Sequence, residues 1–346
     1  MSFKNQLELG FIYAGTLIGA GFASGQEIMR FFTVYGKMGL AGIAVTCAAF
    51  FFLGSFTLYL SIKNQSVSIR DIMLPFSGEN LMLLFEFISD LFLLGGYYIM
   101  LSGCGAVLWE SVKVPYLPTV AFLCMGCMLC LKKGTGGLAG FNKMIVPVMV
   151  ILTLFISCRS LAGLNDISSL MEAVQPAKRG WFFSAAVYVS FNMTSACVVL
   201  SSLGTYTEKP QEAFGASFIA SCIIYVMATL LYLMTSAYFP ELSGVEIPLM
   251  YIASTFGKNL HWAAVIILLC AMLTTALSFG FAFAQSISSK FRISFDNALL
   301  CLFMGAPLSS LGFSDLIGYV YPLFGIIGIF FAFLLMCRRF FGFKIE

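Results

Sequence analysis

The chain has 346 residues, 60% hydrophobic and only 10% charged, with a mean hydropathy of +0.95. A soluble domain carries about 25% charge, so an ordinary water-soluble enzyme is excluded. A net charge of +3 is too weak to suggest nucleic acid as a partner. Apolar runs of about 20 residues without period-two alternation select membrane-spanning helices over a β-barrel.

Hydropathy predicts an all-α polytopic membrane protein with ten spans, near 7–33, 38–62, 80–109, 117–131, 141–163, 179–204, 212–238, 259–289, 295–311 and 314–337. The stretch 246–257 is too short to cross and reads as a surface helix in a loop. The first span has little basic flank and no small-residue cleavage site before a soluble domain, so it reads as a retained helix. With the N-terminus inside, twelve Lys and Arg lie on the inner side, among them Lys4, Lys63, Arg70, Lys132, Lys133, Lys290, Arg292, Arg338, Arg339 and Lys344. Seven lie outside: Arg30, Lys37, Lys113, Arg159, Lys178, Arg179 and Lys258. Both termini are therefore expected in the cytoplasm. The whole chain reads as one transmembrane domain. Its halves, about 7–163 and 179–337, are nearly equal, and five spans each gives them opposite topology, the arithmetic of an inverted repeat.

The first span contains GTLIGAGFASGQE, with Gly15, Gly19, Gly21 and Gly25 in thirteen residues and a carboxylate, Glu27, at the end. Each glycine costs a helix interior about 1 kcal/mol relative to alanine. Gly19 lies about 18 Å along the helix from Leu7, near mid-membrane. Backbone leaves the helix at that depth only where it lines a polar cavity or is buried in protein. The pattern predicts a functional break at Gly19, Ala20, Gly21, Phe22, Ala23, Ser24 and Gly25, with N–H groups for an anionic ligand and carbonyls for a cation. Gly15 and Gly19 also form a GxxxG pair, which close helix packing would explain. Packing does not account for Ser24, Gln26 and Glu27. Glu27 is a candidate proton site or partner of a substrate amine; pairing with Arg30, three residues on, is the plainer alternative.

Further along, Glu86 and Asp90 share a face at i, i+4 and are candidates for proton coupling. Tyr97 and Tyr98 follow Gly95 and Gly96 deeper in the third span, where aromatic packing is one reading. Cys124, Cys127 and Cys130 make a loose stripe without a nearby His or acid and read as reduced core residues. The sixth span, AAVYVSFNMTSACVV, lacks Gly and Pro. Ser190, Phe191, Asn192, Met193, Thr194 and Ser195 form its polar and aromatic mid-section. The eighth span, LLCAMLTTALSFGF, carries Thr274 and Thr275 about 20 Å from His261, level with the first break. Such pairs commonly bond the preceding turn.

GTLIGAGFASGQE resembles the first-helix signature of the YkvI-type family of bacterial membrane proteins. That family is similar to the amino acid–polyamine–organocation transporters with the LeuT-like five-plus-five inverted repeat. The local match is specific; the superfamily match is general but extends over all ten spans. The resemblance implies a secondary transporter, broken first and sixth helices around a central substrate site, and a sodium site between the first and eighth spans. In the sixth span it implies unwinding among Ser190, Phe191, Asn192, Met193, Thr194 and Ser195, with polar side chains on freed backbone groups and Phe191 over a substrate; in the third it implies a substrate hydroxyl from Tyr97 or Tyr98. Transferred by position, the sodium ligands are carbonyls of Gly15, Ile18 and Ala271 and hydroxyls of Thr274 and Thr275; five oxygens suit a hard cation. Where many sodium-coupled relatives carry Asn, this chain has Phe22, so a second sodium is not expected.

These features together predict a transporter in the bacterial cytoplasmic membrane for a small amino acid or related amine, with no cofactor beyond a coupling cation and no Walker A motif for ATP. Sodium is favoured over a proton. A nutrient receptor of transporter fold without flux, or a proton-coupled exporter, remains as the alternative. The expected partners are a small-molecule substrate and the lipid bilayer; the sequence leaves substrate identity and oligomeric state open.

Overall fold

Without water, each backbone N–H and C=O at membrane depth must bond within the segment, and the apolar stretches accordingly fold as helices. The computed structural model describes residues 3–132, 138–162, 179–304 and 312–341, with Pro307 and Ser309. Lys133, Lys178 and Lys344, the segment 163–178 where the halves were expected to join, and most of 305–311 lie outside the described residues.

The first segment is not one helix. It is three: α1 (Phe3–Leu17), α2 (Ala20–Ala23) and α3 (Gln26–Phe31). A 3-10 turn, Thr33–Tyr35, leads into α4 (Lys37–Lys63). Then follow α5 (Ile69–Val112), α6 (Tyr116–Lys132), α7 (Leu138–Leu161), α8 (Trp181–Ser201) and α9 (Glu212–Ala237). The last are α10 (Pro248–Thr255), α11 (Lys258–Phe291), α12 (Phe295–Met304) and α13 (Phe313–Phe341).

Among the described residues, seven helical stretches are long and apolar enough to cross a membrane: Lys37–Lys63, Ser77–Val112, Met144–Leu161, Trp181–Ser201, Glu212–Ala237, Lys258–Phe291 and Phe313–Phe330. Helices α6 and α12 are apolar but shorter. The start of α5 is a separate surface turn. Ser68 and Asp71 cap it reciprocally, and the chain kinks at Gly78, at the start of the apolar stretch.

Packing repeats between the halves. Helix α1 lies on α9 as α8 lies on α4; α13 lies on α5 as α7 lies on α11; α6 lies on α5 as α12 lies on α11. The pairs α4–α9 and α5–α11 each join equivalent helices across the middle. One pairing breaks the pattern: α8 packs extensively along α13, whereas among the described residues the first segment touches α7 only slightly, through α2.

The sixth segment departs from expectation. Trp181–Ser201 is one uninterrupted helix, so the predicted unwinding at Ser190, Phe191 and Asn192 is corrected. The polar side chains bond their own helix: Asn192 Nδ2 donates to Tyr188 O at 3.0 Å, Thr194 Oγ1 to Ser190 O at 2.9 Å and Ser195 Oγ to Asn192 O at 2.9 Å. With no Gly or Pro to lower the cost of a break, back-bonding satisfies these groups inside an intact helix.

Candidate substrate site at the break in the first helix

Helix α1 ends at Leu17, and Ile18 and Gly19 are not helical. Gly19 is extended, with φ −90° and ψ 176°, and starts α2. Across this step the i to i−4 ladder is lost. Among the described residues, no hydrogen bond engages the carbonyls of Gly15, Thr16, Leu17 or Ile18, or the N–H groups of Gly19, Ala20, Gly21 or Phe22. The C-terminal end of one helix and the N-terminal end of another thus meet with eight backbone groups unspent, carrying partial charges of opposite sign. Open space lies beside the Cα atoms of both Gly15 and Gly19.

The second interruption is a turn at Ser24 and Gly25. Ser24 Oγ donates to Gly21 O at 2.7 Å and accepts from Gln26 N at 3.3 Å. Gly25 adopts φ +82°, a left-handed conformation that side chains other than glycine's rarely take. Ser24 O accepts from Leu249 N at 2.9 Å, tying the turn to α10.

This turn places Glu27 back over α2. The residue is 5% exposed, and its carboxylate lies directly against Gly21, where any Cβ would occupy the space of Oε1. Tyr188 donates its hydroxyl to Glu27 Oε2 at 3.2 Å. No basic side chain pairs with Glu27 among the described residues. Arg30 turns away instead: its Nη2 donates to Ser314 Oγ at 2.6 Å and lies 3.7 Å from Asp315 Oδ1. The alternative of a local Glu27–Arg30 pair is therefore corrected; α13 supplies the nearer partners for the guanidinium.

Aromatic rings cluster around Tyr188, the donor to the carboxylate. Tyr188 meets Phe31 edge-on at 5.1 Å, Phe32 at 5.0 Å and Phe191 at 5.2 Å. Phe191 stacks on Tyr321 at 4.5 Å with 22° between planes. Phe191 thus stands between Tyr188 and Tyr321, on an intact helix. Asn192 and Ser190 contribute less: the Asn192 amide is spent on Tyr188 O, and Ser190 faces Gly328 of α13. Tyr188, Phe31 and Tyr321 were not singled out in the sequence. Two had a signal, since Phe31 is i+4 from Glu27 and Tyr188 is i−3 from Phe191, so each pair shares a helix face.

Gln26 is fully buried beside the acid. Its Nε2 donates to Ser314 Oγ at 2.5 Å and its Oε1 has no partner. Beyond it, a cavity of about 380 Å³ is bordered by Met29, Arg30, Glu246, Ser314 and Asp315. Glu246, in the loop before α10, accepts from Ser314 N at 2.6 Å; burial pushes its carboxyl above the usual range, partly offset by that bond.

Other predicted site residues lie elsewhere. The hydroxyl of Tyr97 meets Cys124 Sγ at 3.3 Å, and that of Tyr98 donates to Leu302 O at 2.9 Å. Both hydroxyls are turned toward α6 and α12, away from the break. Glu86 and Asp90, the candidates for proton coupling, both stand in ion pairs. Arg70 Nη1 lies 2.9 Å from Glu86, and Lys290 Nζ lies 2.5 Å from Asp90 and 3.8 Å from Glu86. Cations from two distant segments neutralise the pair. Lys290→Met should therefore strand a largely buried Asp90 carboxylate, at a cost of about 2 kcal/mol, below the range for a dry pair because Lys290 is 32% exposed. Melting temperature should fall and should recover when Asp90→Asn is added; an unchanged melt in the single variant would remove the pair from the stability account.

Among the sodium candidates, Thr274 Oγ1 and Thr275 Oγ1 both donate to Ala271 O, at 3.0 and 2.8 Å. Their lone pairs remain free to accept a cation. Helix α2 packs against α11, while the free carbonyls of Gly15 and Ile18 lie at the end of α1. No group of three or more His, Cys, Asp or Glu forms a metal-ligand set among the described residues.

The chain is homologous along nearly its whole length to two proteins of Bacillus subtilis strain 168. One, described as the uncharacterized membrane protein YkvI, is 24% identical over 96% of this chain and 95% of its own length. The other, the uncharacterized protein YyaD, is 26% identical over 93% of each. No family model matches the chain. Among solved structures, MhsT in complex with L-phenylalanine has a TM-score of 0.66 at 17% identity, covering 99% of this chain and 90% of that one. The inward-facing conformation of Mhp1 has a TM-score of 0.63 at 13% identity, covering 97% and 76%. A mutant form of the manganese transporter of Eremococcus coleocola has 0.63 at 13% identity, covering 96% and 78%. The chain thus has the fold of the LeuT-like transporters and is a multi-pass membrane protein.

Proposed function

We propose that this chain is a secondary active transporter of a small amino acid or related amine, driven by sodium and working by alternating access around the broken first helix. The carrying observation is the set of eight unbonded backbone groups at Gly15 to Phe22, with open space beside Gly15 and Gly19 and the Glu27 carboxylate against Gly21. Free backbone at this depth costs several kcal/mol unless a ligand or water satisfies it. N–H groups of Gly19 to Phe22 would take a substrate carboxylate. Carbonyls of Gly15 and Ile18, with Ala271 O and the Thr274 and Thr275 hydroxyls, would hold sodium.

Ten crossings in two inverted halves, with both termini cytoplasmic in a bacterial membrane, complete this reading. The repeated packing of the halves supports it, and the tight α8–α13 contact, with only a slight counterpart on α7, fits a state closed on one side. Movement of α1–α4, α8 and α9 against the remaining helices would exchange the two. The bound L-phenylalanine of MhsT favours an organic substrate.

The test is thermal stabilisation of purified protein by a panel of amino acids and amines, with and without sodium. A ligand at a hundred times its dissociation constant adds about 2.7 kcal/mol. A shift enlarged by sodium is expected. A shift indifferent to sodium would count against the sodium site, and no shift with any compound would count against the substrate class.

A further inference from the structure

We infer that Glu27 binds a proton and the ammonium group of a cationic substrate in turn, so that each organic cation entering the site displaces one proton. This rests on the proposed substrate site and assigns both a substrate class and a second coupling ion to it.

The geometry carries the argument. Glu27 is buried, yet no Lys, Arg or His pairs with it among the described residues. The groups that face it from the packed elements are few. Helix α8 brings Tyr188, whose hydroxyl donates to Oε2. Helix α13 brings Tyr321, within electrostatic reach, and Asp315, turned to Arg30. Helix α9 brings Tyr232, which donates to Gly36 O, and its Glu212 stands at the far end of the helix. Helix α2 carries only Ala20, Gly21, Phe22 and Ala23. Arg30, on the same helix as Glu27, is bonded to Ser314.

An isolated carboxylate buried in such surroundings is too costly to persist, and something must neutralise it. A proton does so in the empty site. An ammonium group does so in the loaded site, and the surroundings fit one. Phe31, Tyr188, Phe191 and Tyr321 present aromatic rings, which attract cations by their quadrupoles. The unpartnered Gln26 Oε1 is a buried acceptor on the same turn. The exchange balances: Glu27–COOH plus R–NH3⁺ gives the Glu27 carboxylate paired with R–NH3⁺ and one H⁺ released to water. No bond other than O–H breaks.

The experiment is calorimetric titration of purified protein with 2-phenylethylammonium and tetramethylammonium, and with neutral 2-phenylethanol, in buffers of different ionisation enthalpy across a pH series. At least one cation should bind and the alcohol should not. Close to one proton should be released per cation at acidic pH, where apparent affinity should rise about tenfold per pH unit. Glu27→Gln, which keeps the shape and the Tyr188 contact, should abolish the proton release and the preference for cations. If that variant does not fold, the pH series on the unmodified chain decides. Failure of both cations to bind, equal binding of the alcohol, or binding without proton release would each overturn the inference. Cation binding with proton release but no flux in liposomes would overturn the transporter reading and leave this one standing. Uphill flux of a substrate with no cation preference would do the reverse.

Discussion

Gly21→Val should abolish substrate binding and uptake. A side chain at position 21 would occupy the space of the Glu27 carboxylate. The acid cannot retreat freely, since Tyr188 and the Phe31 and Phe191 rings close the far side. Either the carboxylate is expelled from the site or α2 shifts from α3, and each removes the arrangement proposed to hold the substrate. Overpacking of this kind costs about 1–3 kcal/mol in a tight interior. The folded protein should therefore survive with a lower melting temperature while binding falls by roughly a hundredfold. Gly21→Ala should do the same more mildly, and combining it with Glu27→Asp, one methylene shorter, should restore part of the binding. Non-additivity in that cycle reports the contact itself. Uptake that survives Gly21→Val at the normal level would place the substrate elsewhere.

Thr274→Ala combined with Thr275→Ala should remove most of the sodium dependence of binding. Each hydroxyl would supply one of five oxygens, and an interaction with a charged group is worth about 1.5–3 kcal/mol. The loss should reach roughly ten- to a hundredfold in sodium affinity per hydroxyl. Stability should change little, because these hydroxyls otherwise bond only Ala271 O within their own helix. Thr→Ser at both positions should keep the sodium response. A double alanine variant with intact sodium dependence would contradict the site between α1 and α11.

The break in the first helix was legible because glycine density, depth and a trailing acid all point one way, and local sequence decides whether a helix persists. The sixth helix was misread for the matching reason. Its unwinding was expected from the resemblance, whereas AAVYVSFNMTSA holds no residue that favours a break and several that bond their own backbone. Helix positions were also readable, with helix forming on each predicted apolar stretch and at Pro248–Thr255. What sequence could not reveal was tertiary pairing. Lys290 reaches Asp90 across two hundred positions, and Arg30 prefers Ser314 and Asp315 to the nearby Glu27. The partners of Tyr97 and Tyr98 were equally hidden, since α6 and α12, not the break, receive their hydroxyls. The ring of Tyr321 came from the last helix with no local pattern to mark it.

The most direct measurement is accumulation of labelled 2-phenylethylammonium, or of the strongest ligand in the stabilisation panel, by purified protein in sealed liposomes under an imposed inward sodium gradient. The account predicts uptake beyond equilibrium, collapse when an ionophore dissipates the gradient, and none with Gly21→Val. Saturable binding without accumulation would contradict transport and make the chain a receptor built on a transporter fold.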